Sequence, residues 1–311
     1  MQKQSMERIK KAGKIIGKII SILSIVFIIY AIWKLGFDFQ SIHNWYLFLG
    51  VSLVCVIVKC ATVYGSGMAW ALWLRFFAGR NIDRREAVCV YAKANIGKYL
   101  PGNVMHYVER NLFATNLGIS QKKLAVSTIC EVIGLVGVAF LLAASVSAGQ
   151  LAESIRLIFG ESYVRIILAI IAAGIVTVLA AVFFLRKKIT TQLREYSLKE
   201  FGKTLAETMV LYGIVLIALG LIMVALYAYM GGEITWNNGS LIVSGYVIAW
   251  VLGFVIPGAS GGIGVRELVI TVLLGSVVGA ETVLTLSVIH RLITILGDFL
   301  AYLVMLIIRK V

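Results

Sequence analysis

The sequence predicts an all-α polytopic membrane protein made of two inverted repeats, with six full spans and two re-entrant Pro-Gly hairpins. Three observations carry that prediction: a composition suited to lipid, basic residues confined to alternate loops, and a proline motif that occurs twice. Of 311 residues, 60% are apolar and 14% are charged, against about 25% charged in soluble domains. The mean hydropathy is +0.95.

Apolar stretches at 15–33, 46–70, 124–147, 163–185, 205–230 and 282–308 are each long enough to cross a hydrocarbon core of about 30 Å as a helix. The first follows a basic leader and is not succeeded by a small-residue cleavage pattern, so a retained anchor is expected rather than a signal peptide. Cys55, Cys60, Cys89 and Cys130 lack paired C-x-x-C spacing; they read as small packing residues, not as metal ligands or disulfide partners.

The net charge is +14, and its placement points to topology rather than to nucleic acid. Basic residues gather in the leader, at 75–85, at Lys122 and Lys123, at 186–203, and at Arg309 and Lys310, whereas 34–45, 149–162 and 231–240 hold only Lys34 and Arg156. Such asymmetry follows the positive-inside rule, with basic loops facing the cytoplasm and its anionic lipid. No aromatic-studded basic domain is present to bind RNA or DNA.

The chain's two prolines lie in segments that do not read as simple spans, 86–119 and 240–280. The first contains NIGKYLPGNVMHYVERNL and the second VLGFVIPGASGGIGVREL. At an offset of 156 residues Gly97 meets Gly253, Pro101 meets Pro257, Gly102 meets Gly258, Arg110 meets Arg266 and Leu112 meets Leu268. The shared pattern, G-x-x-x-P-G-x7-R-x-L, marks an internal duplication, with a first repeat at 1–148 and a second at 149–311. Basic residues on both sides of 86–119 require that segment to enter the membrane and turn back. The second hairpin is then expected to enter from the opposite side, leaving both termini cytoplasmic. In inverted repeats substrate sites lie near the midplane, where discontinuous helices meet. Backbone freed at a Pro-Gly break must be buried in protein or line a wet cavity.

Six cations fall within spans or broken segments: Lys59, Lys93, Lys98, Arg110, Arg266 and Arg291. Four acids accompany them, Glu109, Glu131, Glu267 and Asp298, leaving a surplus of two positive charges. Intramembrane charges pair with one another or line a functional pathway. Arg110 and Arg266 are candidates for gripping a phosphate or carboxylate, which the planar guanidinium suits; the alternative is bracing by adjacent Glu109 and Glu267 or by freed carbonyls. Lys59 either neutralises Glu131 or Asp298 or attracts an anionic headgroup. Arg291, Thr294 and Asp298 share one helical face with His290 at its edge, a self-neutralising stripe or a proton relay. Ser127, Cys130, Gly134 and Gly137 form a small-residue stripe beside Glu131, expected at a close helix contact. GASGGIG lacks the Lys-Ser/Thr ending of a phosphate-binding loop, and its glycines are expected to allow a tight turn. No catalytic residue, cofactor or metal ligand is assigned: an intramembrane enzyme needs a nucleophile and base at one depth, and Ser260 with His106 or His290 is the sole remote candidate.

GKYLPGNVMHYVERN, PGASGGIGVRE and HRLITILGD resemble the membrane module of bacterial lysylphosphatidylglycerol synthases, a flippase-like family also found as stand-alone proteins. The resemblance covers nearly the whole chain. It implies translocation of an anionic or aminoacylated phospholipid, or of a polyprenyl-phosphate-linked sugar, between leaflets of a bacterial or archaeal cytoplasmic membrane. By position, Pro101, Gly102 and Arg110 match the first motif, Pro257, Gly258, Arg266 and Glu267 the second, and Arg291 the third. With Lys59 and Lys98, the three arginines form the expected headgroup-binding set. Full-length synthases add a cytoplasmic transferase with no counterpart here, so lysyltransferase activity is not expected. The competing expectation is a non-transporting subunit that presents lipid to a separate synthase or glycosyltransferase.

Overall fold

The computed structural model describes residues 44–99, 105–159, 197–255, 262 and 264–310. Among them every regular element is helical: α1 (Trp45–Ala78), α2 (Arg84–Asn95), a 3₁₀ turn (Ile96–Tyr99), α3 (Met105–Ala114), a 3₁₀ turn (Thr115–Leu117), α4 (Gln121–Phe159), α5 (Leu198–Tyr229), α6 (Trp236–Val255), α7 (Val265–Val278) and α8 (Ala280–Lys310). Five helices are long and apolar enough to cross a membrane, which makes this a multi-pass membrane protein. Four of them, α1, α4, α5 and α8, coincide with expected spans. The expected spans at 15–33 and 163–185, Pro101 and Gly102, and Pro257, Gly258 and Ser260 lie outside the described residues.

Local chemistry sets the helix ends. Asn44 Oδ1 accepts from Leu47 N at 3.1 Å, and α1 stops where Gly79 takes φ 66° and donates back to Arg75 O and Phe76 O. This left-handed cap favours glycine. Asp83 caps α2 by accepting from Arg85 N at 3.0 Å. Arg80 then donates to Leu117 O, joining the start of the α2–α3 hairpin to its end. Arg85 donates to Ile308 O on α8.

The two hairpins differ in their first limbs. In the second, expected to be re-entrant over 240–280, the limb α6 is a 20-residue helix of about 30 Å, long and apolar enough to cross a membrane. The first limb of the other hairpin, α2, has 12 residues. Charge accounts for the difference: α2 carries Arg84, Arg85, Glu86 and Lys93, whereas no charged residue lies between Glu233 and Arg266.

The helices recur in order after 156 residues, α1 with α5, α2 with α6, α3 with α7 and α4 with α8. Exchanging the halves preserves nearly the whole packing scheme. The pairs α1–α2, α1–α4, α1–α8, α2–α3, α2–α8 and α3–α4 each have a counterpart in α5–α6, α5–α8, α4–α5, α6–α7, α4–α6 and α7–α8, while α1 packs on its own equivalent, α5. Met223, Leu226, Leu274, Val283 and Leu286 centre one apolar core and Trp70, Leu74, Ala87 and Leu124 another. Leu49, Leu53 and Ile57 on α1, Val210, Ile214 and Leu221 on α5, and Leu296, Phe299 and Leu303 on α8 are exposed, the lipid-facing stripes of those helices.

Glycines set the closest approaches. A Cβ at Gly220 would meet Val243 Cα at 3.0 Å, so α5 and α6 nearly touch backbones. In the expected small-residue stripe on α4, Ser127 is buried and Gly134 admits the Tyr212 ring, while nothing approaches Gly137. The duplicated motif glycines have one shared purpose: a Cβ at Gly97 would meet His106 Cα at 3.1 Å, and one at Gly253 would meet Gly262 Cα at 3.2 Å. His106 and Gly262 are themselves 156 residues apart, so both hairpins close on the same register. Gly253→Ala would also meet Arg266 Cγ at 2.6 Å. It should cost about 1–3 kcal/mol by overpacking, more than Gly97→Ala, where the flexible Glu109 carboxylate takes part of the collision. Gly137→Ala should be neutral or slightly stabilising. Thermal unfolding in detergent checks the order, which three equal losses would contradict.

Candidate functional site

Three groups of charged side chains lie where the hairpins meet the long helices. In the first, α3 presents Arg110 to Glu131 on α4. Arg110 Nη1 donates to Glu131 Oε1 at 2.9 Å and Nη2 to Oε2, a two-pronged ion pair whose partners are both about 1% exposed. Trp70, Tyr91 and Tyr107 surround the guanidinium with ring centroids at 4.6, 5.0 and 5.0 Å. The alternative role for Arg110, bracing by its neighbour Glu109, takes a different form, since the partner is Glu131. Consecutive side chains on a helix diverge by about 100°, and Glu109 turns instead toward Gly97.

Asp298, fully buried on α8, anchors the second group. Its Oδ1 accepts from Lys59 Nζ at 2.7 Å and Asn95 Nδ2 at 2.8 Å, its Oδ2 from Tyr99 OH at 2.5 Å. Lys98 forms a further ion pair with Oδ2. Of the two acids expected for Lys59, Asp298 is thus the partner. One carboxylate serves two cations, and the Lys98 side chain keeps 24% of its surface exposed.

The third group joins α7 and α8. Arg291 Nε donates to Glu267 Oε1 at 2.8 Å, while Glu267 Oε2 accepts from Gly264 N at 2.7 Å and caps α7. Glu267 is therefore committed to Arg291 and the helix start rather than to adjacent Arg266. Arg266 makes no ion pair or hydrogen bond among the described residues, and its Nε is buried without a partner. Trp250 lies 5.9 Å from its guanidinium.

The pseudo-equivalence explains why Arg110 is neutralised and Arg266 is not. The residue 156 positions after Glu131 is Ser287, also buried, whose Oγ has no partner. The second and third groups adjoin: Lys98 lies within electrostatic reach of Arg266, as do Arg291 and Tyr99. Together they hold Lys59, Lys98, Arg266 and Arg291 against Asp298 and Glu267. The interior surplus of two positive charges is gathered in this one place, and Lys98 and Arg266 are its unmatched members.

Aromatic side chains tie the hairpins together. Tyr107 on α3 packs edge-on to Phe254 on α6 at 6.2 Å, and Phe254 stacks on Trp250 at 5.6 Å. His106, beside Tyr107, has a buried Nδ1 without a partner. The stripe of Arg291, Thr294 and Asp298 with His290 at its edge, read as self-neutralising or as a proton relay, is not neutralised within itself, since Arg291 pairs with Glu267 and Asp298 with Lys59 and Lys98. His290 Nε2–H donates to Leu219 O at 3.1 Å with its ring 4.6 Å from Tyr246, and Thr294 Oγ1 donates to Arg291 O at 2.8 Å. Among the described residues no cluster could hold a metal ion. Asn95, Tyr99, Trp250 and Ser287 were not singled out from sequence; the repeat offset applied to Glu131 would have found Ser287. No protein-family model and no curated protein matches the chain.

Proposed function

We propose that the protein is a flippase-type transporter of the cytoplasmic membrane that moves a phosphate-bearing lipid between leaflets. One observation carries the reading: at the junction of two hairpins, in a chain otherwise suited to lipid, two cations lack a carboxylate of their own and the polar groups His106 Nδ1 and Arg266 Nε lack partners. Uncompensated charge at membrane depth is costly and marks a substrate pathway. An anionic headgroup supplies the missing countercharge while its tails remain in lipid.

In this reading Lys98 and Arg266 meet the headgroup, with Arg291 held beside them by Glu267. Arg110 and Lys59, in their ion pairs, position the hairpins rather than touch the phosphate. The halves face opposite leaflets, both termini are cytoplasmic, and the junction opens to one side at a time. The motifs shared with the membrane module of lysylphosphatidylglycerol synthases support the same class of activity, with an anionic or aminoacylated phospholipid or a polyprenyl-phosphate-linked sugar as cargo. The test is leaflet exchange of fluorescent phospholipid and polyprenyl-phosphate probes in liposomes containing the purified protein. Exchange above that of empty liposomes is expected for at least one probe; equality for all of them would sink the proposal.

A further inference from the structure

We infer that the junction is built for a headgroup carrying two negative charges on phosphoryl oxygens, a phosphate monoester or a diphosphate esterified at both ends, in preference to a singly charged phosphodiester. This rests on the lipid-transport reading and narrows its substrate class.

Three observations support it. The first is the charge count: Lys59 is matched by Asp298 and Arg291 by Glu267, leaving Lys98 and Arg266 unmatched. A singly charged diester would leave one positive charge uncompensated in a low-dielectric setting, and a dianion would leave none. The second is a comparison internal to the molecule. Arg110, related to Arg266 by the repeat offset, pairs with the carboxylate of Glu131, whereas the position 156 residues after Glu131 holds Ser287. The duplicated scaffold can thus neutralise its arginine from within, and in the second half it does not. The third is hydrogen-bonding capacity. Arg266 Nε is buried without a partner, and the partly exposed Lys98 ammonium, within electrostatic reach of it, adds further donors. Terminal phosphoryl oxygens offer more acceptors to such a set than the two free oxygens of a diester.

A cationic aminoacylated headgroup is the poorest fit, because its ammonium groups would add to a surplus already present. The distinction is therefore sharp within the cargo classes that transport of a phosphate-bearing lipid leaves open.

Ser287 provides the decisive variant. Ser287→Glu places in the second half the carboxylate that Glu131 supplies in the first, and Ser287→Gln is its uncharged match in size. With the full chain in nanodiscs at a pH about two units above the second phosphate pKa of roughly 6, calorimetric titration would compare dodecyl phosphate, the diphosphate esterified by dodecyl at one end and methyl at the other, dodecyl methyl phosphate and inorganic phosphate. The wild-type chain should bind the two dianionic lipids at least about tenfold more tightly than the methyl diester. Ser287→Glu should bring them to near parity, and Ser287→Gln should keep the preference. Wild-type affinity for the diester equal to that for the monoester overturns the inference, whatever either variant does. Inorganic phosphate binding as tightly as dodecyl phosphate overturns its lipid-borne form. Tight dianion binding without leaflet exchange of any probe would instead contradict transport while upholding the charge class. Exchange of diester and dianionic lipids at equal rates would uphold transport and overturn the preference.

Discussion

Asp298→Ala should be among the most destabilising single substitutions in the described chain. Its carboxylate accepts from Lys59, Lys98, Asn95 and Tyr99, and its removal leaves both Lys59 and Lys98 without the one carboxylate they share. Breaking one buried ion pair by deleting a partner costs about 3–5 kcal/mol, so a loss at or above that range is expected. Lys59→Met should cost less, because Asp298 keeps Lys98 and both polar donors. Unfolding in detergent, followed by helical circular dichroism, gives both values. A loss for Asp298→Ala under about 1 kcal/mol, the scale of an exposed ion pair, would contradict the network.

Arg110→Gln and Arg266→Gln should separate stability from transport, although the two arginines occupy equivalent places in the duplicated motif. Arg110→Gln leaves Glu131 charged, buried and unpaired, a cost of about 3–5 kcal/mol, and adding Glu131→Gln should recover much of it. Arg266→Gln strands no carboxylate. Its unfolding free energy should stay within about 1 kcal/mol of wild type, while leaflet exchange falls at least about tenfold through loss of a charge-assisted contact to the headgroup. Equal destabilisation by the two variants would mean that Arg266 has a carboxylate partner after all. Undiminished exchange in Arg266→Gln would remove Arg266 from the substrate path.

Sequence alone revealed much of the framework. The apolar runs that became α1, α4, α5 and α8 are long, nearly uncharged and unambiguous, and the duplicated glycines pointed to hairpins whose limbs meet at Gly97 and Gly253. The length of α6 was hidden because a Pro-Gly break marks where a helix stops but not how far back it begins; the absence of charge before Pro257 was the overlooked signal. Pairing was harder to read than charge. Glu109 and Glu267 adjoin their arginines in sequence, which on a helix turns them away, so the real partners came from other helices. The surplus of two could be counted from composition, but only the fold gathers Lys98 and Arg266 at one junction. The stripe of Arg291 and Asp298 shows the same thing: sharing a helical face did not pair them, and each found its partner elsewhere, Arg291 in Glu267 on α7 and Asp298 in Lys59 and Lys98.

The most direct test of the central claim, that a lipid phosphate sits where the two hairpins meet, is photolabelling by a phosphate-bearing lipid with a diazirine beside its headgroup, followed by peptide mapping of the reconstituted protein. The account predicts labels on the limbs around Lys98 to Tyr107 and around Trp250 to Arg266, with competition by unlabelled lipid. Labels confined to the lipid-facing stripes of α1, α5 and α8, unaffected by competitor, would contradict it.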